Sequence, residues 1–268
     1  MGGKYYKICD VESQSQIAGD IFSMWLNAGE IGKEARPGQF VSLYTSDASK
    51  LLPRPISLCE ISPAEGKIRL VYRAGREGTG TRQFAALGRG SRVTVLGPLG
   101  NGFPLDRCQG KRTVLIGGGV GIPPLLAAAA FLKQESSEKT GTQIQAVLGY
   151  KDSTFLEEEF HRYGEVLISS ESGTAGIRGT VLDALEHGAV VPDIILSCGP
   201  LPMLRAVKEY AAARSIECWV SLEERMACGI GACLGCVCKS TEVDGHSMVR
   251  NKRVCTEGPV FPAESVVL

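Results

Sequence analysis

The chain has 268 residues, 44% hydrophobic and 22% charged, which is enough for one large or two modest domains and too apolar for a largely disordered polymer. Its 29 basic and 29 acidic residues cancel to a formal net charge of zero, and no basic tract supports nucleic-acid binding. Residues 1–10 lack an apolar signal core, so the 10 cysteines point to metal or redox chemistry in a reducing, cytoplasmic setting and not to disulfides.

Residues 1–108 read as all-β. Phe40–Tyr44, Lys67–Arg73 and Arg92–Leu96 are short strand-like runs between Gly and Pro turns, and Lys67–Arg73 largely alternates polar and apolar as a half-buried strand should. Several such strands in about a hundred residues suggest a small antiparallel barrel. Arg54-Pro55-Ile56-Ser57 lies between strand-like runs. There an arginine can pair with a pyrophosphate and a serine can bond a ring nitrogen, or both can be ordinary surface chemistry. Val71, Tyr72 and Arg73, then Gly78-Thr79, follow. Tyr can stack or hydrogen-bond, Arg can neutralise phosphate, and Gly-Thr can hold phosphate through backbone and hydroxyl.

Residues 109–218 change texture. Strands are predicted at Arg112–Ile116, Gln143–Leu148, Glu165–Ile168 and Asp193–Leu196, and helices at Pro124–Lys133, Val181–His187 and Leu201–Ala213. In the last helix Leu201, Leu204, Val207 and Ala211 share a face. Such alternation means a doubly wound parallel sheet. Val114–Leu132 carries no charge, but its glycines and prolines make it a strand, a turn and a buried helix, so no membrane span is expected. The turn Gly117-Gly118-Gly119-Val120-Gly121-Ile122-Pro123-Pro124 is either a phosphate cradle at a helix start or a tight structural turn. Ser197-Cys198-Gly199-Pro200 closes a later strand at the edge where ligands of such sheets sit. Its thiol either touches a nicotinamide or is simply buried.

Residues 219–268 look like an appended module held by something other than a large core. Cys228, Cys233 and Cys236 form C-x4-C-x2-C, and Cys255 follows on a separate segment. Three thiolates on one glycine-rich loop and a fourth from afar suit a plant-type [2Fe-2S] cluster. A four-cysteine zinc site and free thiols are the alternatives, though zinc sites more often use two close pairs. Cys238 reads as a spare buried thiol, and Cys9, Cys59, Cys108 and Cys218 as packing residues. Cys236–Cys255 looks like a surface hairpin.

Taken in order, these markers resemble the ferredoxin–NADP reductase superfamily and, within it, the iron–sulfur electron-transfer subunits of NAD-dependent dihydroorotate dehydrogenases. They are Pro37–Phe40, Arg54–Ser57, Tyr72-Arg73 with Gly78-Thr79, Gly97–Phe103, Gly117–Pro124, Cys198–Met203, Glu224–Gly229, and Arg253–Cys255 with Gly258–Phe261. The resemblance implies an α+β multi-domain chain with an antiparallel β-barrel for FAD (1–108), a doubly wound parallel α/β domain for NAD (109–218) and a small [2Fe-2S] module (219–268). It implies FAD contacts at Arg54, Pro55, Ile56, Ser57, Val71, Tyr72, Arg73, Gly78 and Thr79, and NAD(H) as substrate near Gly118, Gly119, Cys198 and Gly199. Cys228, Cys233, Cys236 and Cys255 would hold the cluster. The partner would be an FMN-containing dihydroorotate dehydrogenase chain, two of each, carrying the catalytic base, so that no catalytic residue is expected here. Electrons would pass from that FMN through the cluster and FAD to NAD+ in pyrimidine synthesis. A related NAD(P)H–ferredoxin or sulfide reductase subunit is the second reading. Some such relatives carry Asp at the first cluster position, where this chain has Cys228. A non-enzymatic flavin- or zinc-binding module is the third.

Overall fold

The computed structural model describes residues 3–136, 141–245 and 248–268; Met1 and Gly2 of the N-terminal stretch lie outside these. The chain opens with β1 (Tyr5–Ala18), β2 (Ile21–Asn27), α1 (Glu30–Glu34), β3 (Phe40–Tyr44), β4 (Arg54–Ser62), β5 (Lys67–Arg73), α2 (Gly80–Phe84) and β6 (Arg92–Leu99). The six strands close into an antiparallel barrel in the order β1-β2-β5-β4-β3-β6. Closure leaves no open edge, and Met24, Leu26, Val41, Leu43, Leu70 and Val95 fill the interior at 0% exposure.

The second unit runs β7 (Arg112–Gly118), α3 (Ile122–Glu135), β8 (Gln143–Tyr150), α4 (Glu157–Phe160), β9 (Glu165–Ser170), β10 (Ile177–Arg178), α5 (Val181–His187), β11 (Ile194–Cys198), α6 (Leu201–Ala213) and β12 (Glu217–Ser221). The last segment adds β13 (Val237–Lys239), β14 (Asn251–Arg253) and β15 (Val260–Pro262). The large sheet has the order β10-β9-β8-β7-β11-β12-β15, parallel throughout except for the antiparallel β12–β15 edge pair. Chain order reverses between β7 and β11, which opens a crevice at their C-terminal ends. Pro123 and Pro124 lie in the first turn of α3, where an absent N–H costs nothing, and the Thr180–Asp183 capping box starts α5.

Two expectations change. The small C-terminal module is held by the core of the large sheet, where something other than a large core was expected. Met226, Cys236, Val254, Cys255, Phe261 and Val266 share one apolar cluster with Val114, Ile116, Leu204 and Val220, because β15 completes the large sheet. β12 runs through the 218–219 position. Lys67–Arg73 is also more deeply buried than a half-exposed strand, since the second unit covers the outer face of the barrel there. Ile21, Cys59 and Val71 pack in one cluster with Leu125, Leu126 and Ala129 of α3, and even Arg69 is 9% exposed. Among the described residues no helix is long and apolar enough to cross a membrane.

Candidate functional site

Arg54–Ser57 opens β4. Because β4 runs antiparallel to β5, with Leu58 opposite Leu70, the start of β4 and the end of β5 (Val71–Arg73) lie at the same end of the pair. Thr79 caps α2, accepting from the Arg82 N–H at 3.4 Å, and Gly78 sits at φ +80 with open space around it. The guanidinium of Arg54 lies against Gly80, so close that a Cβ there would sit 2.9 Å from Nε. An arginine fork and the first N–H groups of a capped turn therefore face one place, a donor set suited to a pyrophosphate. Ser57 and Ile56 are half-buried, and the Ser57 hydroxyl has no partner among the described residues.

The end of β5 contributes differently from its sequence reading. Tyr72 is 2% exposed inside the barrel, edge-on to Phe84, with its hydroxyl donating to Gln14 Oε1 at 2.8 Å. Successive side chains alternate faces along a strand, and this one points inward, where its ring and hydroxyl are already engaged by barrel residues. Val71, facing outward, is packed under the second unit, and Arg73 pairs with Asp20 at 3.3 Å. The backbone of Val71–Tyr72 and the exposed guanidinium of Arg73 are what this strand end offers.

The two turns at the sheet crevice meet backbone to backbone. Cys198 stands opposite Gly117 in the β7–β11 pair. A Cβ on Gly199 would lie 3.0 Å from the Gly118 nitrogen, and one on Gly121 would overlap Cys198 and come 2.5 Å from the Gly199 Cα. Gly119 has φ +53 and open space beside it. The Met203 side chain lies between Gly118 and Gly199, with its sulfur 2.7 Å from where a Gly118 Cβ would stand. Burial pushes the Cys198 thiol up to about 12, with Ser221 acting in the other direction, so it is neutral at physiological pH. The Gly119–Gly121 turn also touches β5. The crevice and the Arg54 region are thus neighbours.

The four cysteines come together as two pairs. Cys228 contacts Cys233 on the loop, and Cys236 contacts Cys255 after the β13–β14 hairpin brings Val254 onto the Cys236 carbonyl at 2.9 Å. Positive φ at Gly229 (+69), Gly231 (+87) and Leu234 (+56) curls the loop so that N–H groups aim at sulfur. Ile230 and Cys233 donate to Cys228 Sγ, and Gly235 to Cys233 Sγ, each at 3.4 Å. Partial burial opposes ionisation of Cys228, but the N–H groups of Ile230, Cys233 and Ala232 and the Cys233 thiol outweigh it and bring the group down to about 6. Burial, then the neighbouring Cys236, push Cys255 up to about 12. Two thiols of a pair in contact need a cation to ionise together. Among the described residues no three Cys, His, Asp or Glu converge as one ion's ligands would; the donor set, three thiols on one loop and a fourth from a later segment, is the one a plant-type [2Fe-2S] cluster uses. Cys238 is half-buried on β13, while Cys9, Cys59, Cys108 and Cys218 are buried packing residues.

Other residues join the site that sequence reasoning did not single out. Ser42 is fully buried on β3, opposite Pro55 of β4, and its hydroxyl is unpartnered. A Cβ on Gly229 would lie 3.3 Å from that hydroxyl. Asn101 donates to the carbonyls of Thr256 (3.1 Å) and Glu257 (2.9 Å), immediately after Cys255. The barrel thus holds the cysteine loop on both sides. Only the Gly97–Phe103 marker hinted at Asn101, and a lone serine in a strand carries no signal at all.

Residues 223–267 match the family described as the iron–sulfur cluster binding domain of dihydroorotate dehydrogenase B. The electron transfer subunit of dihydroorotate dehydrogenase B (NAD(+)) from Bacillus velezensis is 42% identical over 262 residues, 96% of this chain and 97% of its own length. The same subunit from Bacillus caldolyticus is also 42% identical over 262 residues, with the same coverage. Among solved structures, that of an NADH-dependent reduced ferredoxin–NADP oxidoreductase, studied for flavin-based electron bifurcation, superposes with TM-score 0.83 at 29% identity, covering 100% of this chain and 91% of that one. A ferredoxin NADP+ reductase from Neisseria gonorrhoeae shares the fold at TM-score 0.61 and 14% identity, over 78% of this chain and 91% of its own.

Proposed function

The chain belongs to the family of electron-transfer subunits of dihydroorotate dehydrogenase B, and from that premise we propose how its own residues carry the work. It is an oxidoreductase subunit that uses FAD, a [2Fe-2S] cluster and NAD. When bound, the cluster exchanges single electrons and FAD exchanges one or two, which joins one-electron chemistry to the hydride that NAD+ accepts.

The barrel end at Arg54–Ser57, Val71–Arg73 and Gly78-Thr79 holds FAD. Arg54 and the start of α2 neutralise its pyrophosphate, β4 and the Val71–Tyr72 backbone support its ring, and Ser57 offers a free hydroxyl. NAD(H) lies in the sheet crevice, where Gly118, Gly119 and Gly199 let backbone approach closely and Cys198 stays neutral. Cys228 and Cys233 hold one iron, and Cys236 and Cys255 the other. The N–H groups aimed at the sulfurs stabilise the reduced, more negative state. The unpartnered Ser42 hydroxyl fits the place where flavin strand and cluster loop meet.

The subunit works with a catalytic chain of dihydroorotate dehydrogenase B. That chain bears FMN, holds the catalytic base, and joins two of these subunits to two of its own. The exposed Cys233 edge, beside exposed Ile230 and Leu234, supports docking there. The pairing of the four thiols is the observation that carries the reading. Co-purification from native extract, with mass spectrometry and a visible spectrum, tests it. An FMN-bearing dihydroorotate dehydrogenase in equal amount and absorbance that bleaches with NADH are expected. A colourless, zinc-loaded protein overturns it, and a ferredoxin-linked flavoprotein partner moves the function to the second reading, toward which the structural likeness at TM-score 0.83 and 29% identity points.

A further inference from the structure

Arg69 stands on the outer wall of the barrel, 9% exposed, with every side-chain nitrogen engaged. Nε donates to Ser23 Oγ at 2.8 Å, and Nη1 to Glu60 Oε2 at 2.6 Å, both within the barrel. Nη1 also reaches Glu159, and Nη2 donates to Glu159 Oε1 at 3.1 Å. Glu159 lies on α4, in the β8–β9 connection of the α/β unit. One buried guanidinium therefore joins two carboxylates from the two halves of the molecule.

Around it the halves meet through apolar surface, chiefly α3 on β4, in one cluster that also holds Cys59, Val71, Phe155 and Leu156. Apolar contact is non-directional and tolerates sliding. A planar fork held on three sides does not, because any slip strands a charge in a dry interface. Arg69 lies two residues before Val71 on β5, so the clasp acts on the strand that reaches the Gly119–Gly121 turn.

We propose that Arg69 is a positioning residue for hydride transfer, which by clasping Glu159 across the interface fixes the nicotinamide crevice against the flavin end of the barrel. The inference rests on the reading that those two ligands bind on the two halves. Hydride transfer is steep in distance, and a misplacement of about 1 Å costs up to roughly a hundredfold. Glu60 and Glu159 both hold Arg69, but only Glu159 crosses between the halves, and that asymmetry makes the test.

Glu60→Gln and Glu159→Gln are compared in the holoprotein by anaerobic stopped-flow reduction of FAD with saturating NADH, alongside flavin content, cluster EPR and Tm. Glu159→Gln is expected to lower the limiting rate about tenfold or more with flavin and EPR intact, and Glu60→Gln to stay within about twofold at a similar loss of Tm. Equal slowing in both, or an unchanged rate in Glu159→Gln, overturns the proposal. If Glu159→Gln does not fold, Glu159→Asp takes its place, keeping the charge but shortening the reach; a wild-type rate there overturns it. A wild-type protein whose flavin NADH does not reduce is a different failure, that of the underlying reading.

Discussion

Two of the assignments each turn on one side chain. Cys233 is the exposed member of its pair, and its sulfur accepts the Gly235 N–H. Cys233→Ser should lose the iron–sulfur EPR signal while FAD stays bound and still bleaches with NADH; an intact signal would remove Cys233 from the ligand set. Arg54 is the cation that faces the start of α2, and its loss removes a charge-assisted bond of about 1.5–3 kcal/mol. Arg54→Ala is therefore expected to weaken FAD retention about tenfold to a hundredfold, read as flavin-to-protein ratio after gel filtration. Gly80→Ala should act in the same direction by displacing the guanidinium, whose Nε and Cζ lie 2.9 and 3.0 Å from the added carbon. Flavin stoichiometry unchanged in both variants would place the pyrophosphate elsewhere.

At the scale of elements, the contact between two turns carries the crevice. Gly121 leaves no room for a Cβ against the Cys198 carbonyl, and both sides are backbone that no rotamer change can move. Gly121→Ala should destabilise the fold by about 2–4 kcal/mol and abolish NADH binding before FAD is lost. Thermal melts and NADH titration of the flavin spectrum check this, and a variant that melts and titrates like the wild type would contradict it. These turns were legible in the sequence because glycine runs and Cys-Gly-Pro after apolar strands carry local chemistry. The strand–helix alternation of 109–218 was legible for the same reason, since apolar periodicity is local. β1 was not: within Tyr5–Ala18 the run Glu12-Ser13-Gln14-Ser15-Gln16 is wholly polar, and it hides the alternation. The inward Tyr72 was missed because a short motif does not say which face of a barrel strand points in. The clasp at Arg69 joins residues ninety positions apart and leaves no local trace.

Across the whole molecule, two carboxylates held well below their ordinary range sit at the N-terminal ends of the sheet strands, away from the ligand crevice. Asp193, just before β11, holds Arg112 at the start of β7 through its side chain at 2.8 Å and its backbone N–H at 2.9 Å, and these bonds lower its carboxyl from 3.8 to about 2. Glu217, opening β12, is partly buried, which opposes its charge. Bonds from Trp219, Arg107 and Lys111 outweigh that and bring it from 4.5 to about 2. Arg107 and Lys111 flank the connection by which the chain leaves the barrel for the sheet. Both folded values lie below the unfolded ones, so between about pH 4.5 and 2 the unfolded chain binds more protons than the folded one. The stability these carboxylates contribute is complete above that window and drains away as pH falls through it. Glu217→Gln should cost about 1–2 kcal/mol near neutrality, because two cations then face an amide. Its Tm should also fall less than that of the wild type between pH 6 and 3. Parallel pH profiles for the two proteins would show that Glu217 does not couple the barrel exit to the sheet. Since the crevice lies at the opposite strand ends, the flavin of the variant should still bleach with NADH at pH 7 at the wild-type rate.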